Sequence, residues 1–569
     1  MRASHWRAAP DRRDEARLLS REFDLNPVVT HLLLNRGLSR DQFAEYLRPT
    51  MASEVDFNLL ADIQPAGERL AQAIREQQPV CIYGDYDTDG STGGAILYRF
   101  LTARGVPCEY YVPRREGEGY GLNAQAVVQI ITKYRPKLLI TVDCGITSAE
   151  EVDTAVALGV DVIVTDHHLP GERLPAAPAV NPQRTDQGAY PQPEIAGAAV
   201  AYKLCQKTAE LLGENPFQLE TVLLELVAVG TVADMMPLIG ENRYYVYHGL
   251  ELLRHTQSLG LRALMETAGV GDGKVLTSRD IGFMIGPRLN AAGRLEDARS
   301  AFELLITDDN ARAWQLADQL EKLNRERQNI EGDVREEASE RIKNLSLYER
   351  WGLVLAGEGW HEGVVGLVAG RLAQRYHRPT LVLSIQGDIA KGSGRSNRAV
   401  DLHAALTDCA DLLTGFGGHH QAAGLSIAAD KIDELADRFD AAVRARMTEE
   451  DLIPVHEYDC SVRASAATMP LARALEWLEP TGQGNPPAQL RFTELRLEQI
   501  RLTRDGAHMQ LFFDTGRGAI RGFWPGSGRE YDRFEPGQWV EAVGTVNIDT
   551  WQGNERLQLL IEDLRHAPA

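Results

Sequence analysis

The residues with the clearest chemistry stand at the ends of three apolar runs. Val162-Ile163-Val164-Thr165 runs into Asp166-His167-His168. Val80-Cys81-Ile82-Tyr83-Gly84 runs into Asp85, Asp87 and Asp89. Leu138-Leu139-Ile140-Thr141-Val142 runs into Asp143. A short apolar, β-branched run bounded by turn residues reads as a buried strand. Open α/β sheets bind ligands beyond the carboxyl ends of their strands. Taken alone, Asp-His-His is equally a solvated strand-end turn. Three such endings in one region, with three acids crowded into one turn, call for a neutralising cation. Oxygen ligands with a few imidazoles suit Mn²⁺ or Mg²⁺ better than structural zinc.

The elements that position these residues alternate. Helical patterns over 70–76, 94–103, 124–134 and 148–158 separate strand patterns over 80–84, 108–112, 138–142 and 162–165. Alternation at this spacing predicts a mainly parallel sheet with helices on both faces. Downstream, Asp234 ends an apolar helical segment, Glu225 to Ala233. It is either a cation ligand or a helix-end carboxylate bonded to backbone. Pro287-Arg288-Leu289-Asn290-Ala291-Ala292-Gly293-Arg294 is either a phosphate-approaching segment or a solvated loop.

A long, charged, proline-free stretch, 308–346, predicts a helix or helix pair bridging two domains. From Trp351 a second α/β unit begins. It contains two glycine-rich stretches, Lys391-Gly392-Ser393-Gly394-Arg395-Ser396 and Gly417-Gly418-His419-His420-Gln421-Ala422-Ala423-Gly424. By composition both read as loops that could hold an anion. From 455 onward five short β patterns predict a small OB-like barrel, in which Trp524, Trp539 and Trp551 are either core or base-stacking aromatics.

The expected domains are an N-terminal helical appendage at 1–60, a catalytic α/β domain at 61–305 and a connecting helix at 306–348. A second, smaller α/β domain at 349–454 and the OB-like barrel at 455–569 complete the chain of 569 residues. The six cysteines are scattered without a C-x-x-C pair, which argues against a disulfide framework or a cysteine zinc site. No apolar stretch is expected to span a membrane, and the charged first residues lack a signal core, so a cytoplasmic protein is expected. The net charge of −21 disfavours a uniformly basic nucleic-acid surface but not a local arginine-lined clamp on a single strand.

Together these residues resemble the DHH phosphoesterase superfamily, and more closely its RecJ branch of single-strand-specific 5′→3′ DNA exonucleases. Gly84 to Gly90, Asp143-Cys144-Gly145, Asp166-His167-His168, Gly230 to Asp234 and Gly417 to Gly424 are similar to that family's motifs in order. The resemblance implies a DHH domain, a DHH-associated substrate-binding domain and a DNA-binding barrel. It implies 5′→3′ hydrolysis of single-stranded DNA to 5′-mononucleotides, in repair and recombination, with two Mn²⁺ or Mg²⁺ ions. Asp85, Asp87, Asp89, Asp143, His167 and Asp234 would be the ligands. His168 would contact the scissile phosphate or act as acid, with Asp166 ligating or orienting an imidazole. Arg115, Arg288, Asn290, Ser393, Arg395 and His419 would hold DNA phosphates. Tyr83 stands where many family members carry His, four residues before the middle acid, and Asp85 would compensate. Single-stranded DNA is the expected partner, with a single-strand-binding protein and a helicase as possible others, for a monomeric enzyme. Two other readings differ in class. A pyrophosphatase or a phosphodiesterase on short or cyclic nucleotides would need no barrel. A non-catalytic replication scaffold would tend to lose the metal acids, which are all present here.

Overall fold

The computed structural model describes residues 4–113, 121–271, 275–343, 349–397, 399–516, 518–551 and 554–568. These divide into a larger and a smaller compact unit. In the larger unit, β1 (Val80–Gly84), β2 (Cys108–Tyr111), β3 (Leu138–Val142), β4 (Asp161–Thr165) and β5 (Ala179–Val180) form a parallel sheet in the order β2-β1-β3-β4-β5. β1 and β3 are buried throughout, as continuous apolar runs require. The register sets Gly84 beside Val142 and Val142 beside Thr165. Asp85, Asp143 and Asp166 therefore leave three neighbouring strands at one level.

Helices α1 (Thr88–Thr102), α2 (Gly197–Leu211) and α3 (Glu220–Ala233) follow, then α4 (Gly286–Leu295), entered through a π-helical turn at Ile281–Ile285. The run Pro216–Ala233 is 18 residues long and apolar enough by composition to cross a membrane, contrary to the expectation from sequence; half of it is buried. Its stretch from Leu223 to Thr231 is buried throughout, so the apolar surface serves the core. A 34-residue helix, α5 (Asn310–Lys343), occupies most of the stretch expected to be helical.

The smaller unit carries α6 (Glu362–Tyr376) and five strands: β6 (Leu353–Glu358), β7 (Thr380–Gln386), β8 (Ile389–Arg395), β9 (Leu413–Gly418) and β10 (Ala422–Ala428), ordered β9-β10-β8-β7-β6. Here the loop conformation expected for the two glycine-rich stretches is corrected. Lys391 to Arg395 lies in β8, and Gly417 to Gly424 forms the β9–β10 hairpin. In β8 close strand packing accounts for the glycines: a Cβ on Gly392 would sit 2.4 Å from the Val382 carbonyl oxygen and one on Gly394 2.5 Å from Leu381 Cδ2, whereas in the hairpin Gly418 takes a positive φ of 139°.

The C-terminal strands, β11 (Cys460–Arg463), β12 (Leu490–Leu502), β13 (Met509–Asp514), β14 (Ala519–Trp524), β15 (Trp539–Trp551) and β16 (Asn554–His566), run β11-β12-β13-β14-β16-β15. β15 pairs back onto β12 and closes a barrel. The first 60 residues are not a separate appendage. Val29, Leu32, Leu33, Leu34 and Phe43 share one apolar core with Leu490, Phe492, Leu497 and Leu564 of the barrel. The Trp6 indole donates to Asp563 at 2.7 Å, and the Ala9 amide donates to the Tyr458 carbonyl at 2.8 Å. A helical pattern alone cannot show which distant strands bury its apolar face.

Leu33 has no exposed surface in that shared core. Leu33→Ala should destabilise it by about 2–5 kcal/mol. The loss should appear in the denaturant midpoint read by fluorescence of the buried Trp524 on the barrel. An unchanged barrel transition would show that the two segments fold independently.

Candidate metal centre

Asp85, Asp87, Asp89, Asp143, His167, His168 and Asp234 converge. Their ligand-capable atoms form three groups, each with all atoms within 4.8 Å of one another: Asp85, Asp87 and Asp143; Asp89, His167 and Asp234; and Asp143, His167 and His168. The first two groups share no residue. Asp143 and His167, joined in the third, link them.

Local backbone holds several of these residues in place. Asp87 caps α1, accepting from the Gly90 amide at 3.0 Å. Asp89 accepts the Gly197 and Ala198 amides at 2.6 and 2.9 Å, so it sits on the positive end of α2. Asp143 takes a positive φ of 60° just after β3, a conformation that Asp tolerates better than most residues. Asp234 ends α3, its amide bonded to the Gly230 carbonyl at 2.9 Å. Two glycines are fixed by these approaches. A Cβ on Gly197 would lie 2.8 Å from Asp143 Cβ, and one on Gly230 would lie 2.7 Å from Asp89 Oδ1.

Asp166 is more an anchor than a ligand. Its Oδ1 accepts from the His167 and His168 amides at 2.7 and 3.1 Å and pairs with His168 Nδ1 at 2.8 Å. Its Oδ2 accepts from the Ile146 amide at 2.9 Å. Burial opposes ionisation, but the bonds from His168 and the amides outweigh it and hold the carboxyl below its usual range. Asn181, just after β5, donates to the His168 carbonyl at 2.9 Å. Sequence reasoning missed Asn181 because the two-residue strand before it is too short to recognise, though it obeys the same strand-end rule.

The electrostatics point to cations. Burial, and then the neighbouring carboxylates, push Asp143 and Asp234 well above the usual carboxylate range. The same causes raise Asp89 to about 7. Burial, then the charge of His168, lowers His167 to about 4, so its ring is neutral near pH 7. His167 bonds the Ile195 backbone, leaving Nε2 as a lone pair 3.0 Å from Asp143 Oδ1, 3.5 Å from Asp234 Oδ2 and 3.8 Å from Asp89 Oδ2. Asp85 Oδ1, Asp143 Oδ1, His167 Nε2 and Asp234 Oδ2 are buried without a hydrogen-bond partner. Buried lone pairs facing one another are costly unless a positive charge lies between them. Carboxylate oxygens with one or two imidazoles fit Mn²⁺ or Mg²⁺.

Tyr83 is not in any of these groups. Its hydroxyl donates to the Gly121 carbonyl at 2.8 Å, and its ring packs in the core with Tyr111, centroids 5.6 Å apart. Among the expected phosphate contacts, Arg115 lies outside the described residues. Arg288 is buried, with Nε on Glu321 Oε2 at 2.7 Å and Nη1 on the Met284 carbonyl at 2.6 Å, bracing the π-helical turn. Asn290 Oδ1 accepts from the Thr88 amide at 2.9 Å. In the smaller unit, Arg395 donates to Ser393 Oγ at 2.8 Å beside Gly366 of α6, and burial lowers its affinity for its proton. Among the described residues no carboxylate pairs with Arg395. His419 is exposed at the β9–β10 turn. Trp524 is buried in the barrel, Trp539 is 57% exposed, and the Trp551 side chain lies outside the described residues.

Comparison with known proteins agrees along the whole chain. The family models for the DHH family N-terminal domain, the DHHA1 domain and the RecJ OB domain match residues 79–231, 347–445 and 458–563. The single-stranded-DNA-specific exonuclease RecJ of Bacillus subtilis (strain 168) is 36% identical over 562 residues, 98% of this chain and 70% of that protein. The RecJ of Escherichia coli (strain K12) is 34% identical over 573 residues, 95% of this chain and 96% of that protein. The crystal structure of RecJ from Thermus thermophilus in complex with Mn²⁺ aligns with a TM-score of 0.83 at 30% identity, covering 99% of this chain and 80% of that one. A Mg²⁺ complex from the same organism aligns with a TM-score of 0.76 at 28% identity, covering 99% and 79%. Motif order, acid cluster and near full-length identity converge on one conclusion: the chain belongs to the RecJ family of single-stranded-DNA-specific exonucleases.

Proposed function

We propose that this chain is a divalent-metal-dependent exonuclease that hydrolyses single-stranded DNA from the 5′ end, releasing 5′-mononucleotides. The observation that carries the reading is the pair of separate ligand groups, bridged through Asp143 and His167 and containing four orphaned buried atoms. Two cations would be held, one by Asp85, Asp87 and Asp143 and the other by Asp89, His167 and Asp234. When bound, they supply activation of an in-line water and stabilisation of the leaving oxygen.

The chain's own residues do the rest. Asp166 fixes the His168 ring through Nδ1, so Nε2 is the nitrogen available to a phosphate oxygen. Burial disfavours the His168 charge, but the bond to Asp166 outweighs it and raises the imidazole above its usual range. His168 is therefore suited to donate a hydrogen bond or a proton to the phosphate. Ser393 and Arg395 are candidates to hold phosphate, including a 5′-terminal group that would set polarity. Trp539 offers an exposed ring on which a base of the incoming strand would stack. A helicase or a single-strand-binding protein would present the strand in the repair or recombination setting.

Asp143→Ala should reduce turnover by at least about a thousandfold, since it removes a ligand of one group and one of the two residues that link the groups. Single-strand binding in chelator should be retained. Normal turnover by a folded variant would remove the metal assignment. The activity test is a 3′-labelled strand with Mn²⁺, Mg²⁺ or chelator. A descending ladder in metal alone, with duplex left intact, is expected.

Trp539→Ala should weaken single-strand affinity by about 1–3 kcal/mol without changing the metal requirement. Unchanged affinity in a binding titration would return Trp539 to a merely exposed surface residue.

The buried carboxyls also set a pH dependence. Their folded pKa values lie above the unfolded ones, so the folded state binds more protons in between. Metal-free protein should lose stability as pH rises from about 4 through the Asp89 value of about 7. Added Mn²⁺ should stabilise more strongly as pH rises through the same window, because ligation needs the ionised carboxylates. Thermal melts at stepped pH check both slopes. Because His167, held near 4, contributes the opposite slope in this window, the Asp89 contribution is read as the difference in slope between wild type and Asp89→Asn; identical slopes would contradict the burial of Asp89.

A further inference from the structure

The two ligand groups interleave along one short loop. Asp87 belongs with Asp85 and Asp143, whereas Asp89 belongs with His167 and Asp234. Only Thr88 separates them, so its position sets the spacing between the groups. Thr88 is buried, and its amide is the first of α1, where no intrahelical acceptor exists. That amide donates to Asn290 Oδ1 at 2.9 Å, and the Thr88 hydroxyl donates to the Gly286 carbonyl at 3.2 Å. Both partners lie on α4. The same helix meets the loop again at Gly293, where a Cβ would stand 2.2 Å from the Tyr86 carbonyl oxygen. Asn290 is thus the polar key of a helix packed face-on against the acid-bearing loop.

We propose that Asn290 is a positioning residue: by holding the Thr88 amide it fixes the separation of Asp87 and Asp89, and with it the spacing at which two cations are bound. This rests on the two-cation reading above. It replaces the expectation from sequence that Asn290 touches DNA phosphate. The two roles respond oppositely to one substitution. Asn290→Asp keeps an oxygen where the Thr88 amide needs an acceptor, whereas a carboxylate at a phosphate contact would repel the strand.

The test uses full-length protein and three measurements on wild type, Asn290→Ala and Asn290→Asp: Mn²⁺ calorimetry without DNA, kcat and KM on a single strand, and thermal melts. Asn290→Ala should weaken Mn²⁺ binding by about tenfold, as expected for loss of one helix-terminal acceptor, and lower kcat with KM little changed. Asn290→Asp should recover most of the Mn²⁺ affinity. Unchanged Mn²⁺ binding in Asn290→Ala, or a raised KM with Asn290→Asp worse than Ala, would overturn the proposal. If Asn290→Ala does not fold, the Mn²⁺ affinity of Asn290→Asp decides alone: near wild type supports the role and a large loss refutes it. Wild-type stoichiometry separates the two levels of inference, since one bound Mn²⁺ would remove the two-cation reading whatever the variants do.

Discussion

Mutual repulsion of buried carboxylates is the constraint from which the rest of the larger unit follows. Asp85, Asp89 and Asp143 are almost wholly buried, and Asp234 lies against them. At an effective dielectric constant near 20, two like charges 4 Å apart repel by about 4 kcal/mol, and the carboxylates of each group here have ligand atoms within 4.8 Å of one another. A fold with no ligand to gain would not concentrate them. The cost is met locally where it can be: Asp89 takes two amides from the start of α2, and Asp87 takes one from α1. Of the atoms that remain orphaned, His167 Nε2 faces Asp143 Oδ1 and Asp234 Oδ2 at 3.0 and 3.5 Å.

Parallel sheet geometry makes the concentration possible. In-register pairing of Gly84, Val142 and Thr165 brings three strand ends to one level, and the chain places an acid immediately after each. Helices must then approach that edge closely enough to deliver Asp89 and Asp234. Gly197 and Gly230 stand at those approaches, where any side chain would collide with an acid. The apolar character of α3 has the same origin: it must be buried for Asp234, at its end, to reach the cluster. The apolar core and the polar site are thus consequences of a single packing arrangement.

The cluster itself was legible in the sequence because strand periodicity and strand-end acids are local signals. Asp85, Asp87, Asp89, Asp143, His167, His168 and Asp234 all meet. What was not legible depends on distant partners. Arg288 read as a phosphate contact because nothing in its own segment announces Glu321, 33 residues away. Gly392 and Gly394 read as a loop because glycine selected by strand packing and glycine selected by a turn look identical in composition. The first 60 residues read as an appendage because the barrel that buries Leu33 begins hundreds of residues later. Asp166 was ambiguous for another reason: ligand and anchor differ only in how many amides surround the carboxylate.

The net charge of −21 looks unsuited to a DNA enzyme until the charges are placed. Much of the acidity that matters lies in the cluster, where bound cations would reverse its sign toward a phosphate. The basic groups are used sparingly. Arg288 is committed to an internal ion pair, while Arg395 is partly desolvated with a serine rather than a carboxylate as its neighbour. A guanidinium held in that way retains its attraction for an anion, because among the described residues no carboxylate competes for it. On the proposed function, capture of the strand would depend on a few placed cations and an exposed aromatic rather than on a basic surface. Such an arrangement would grip single strands locally, and the repulsion of an acidic surface would discourage duplex from settling elsewhere.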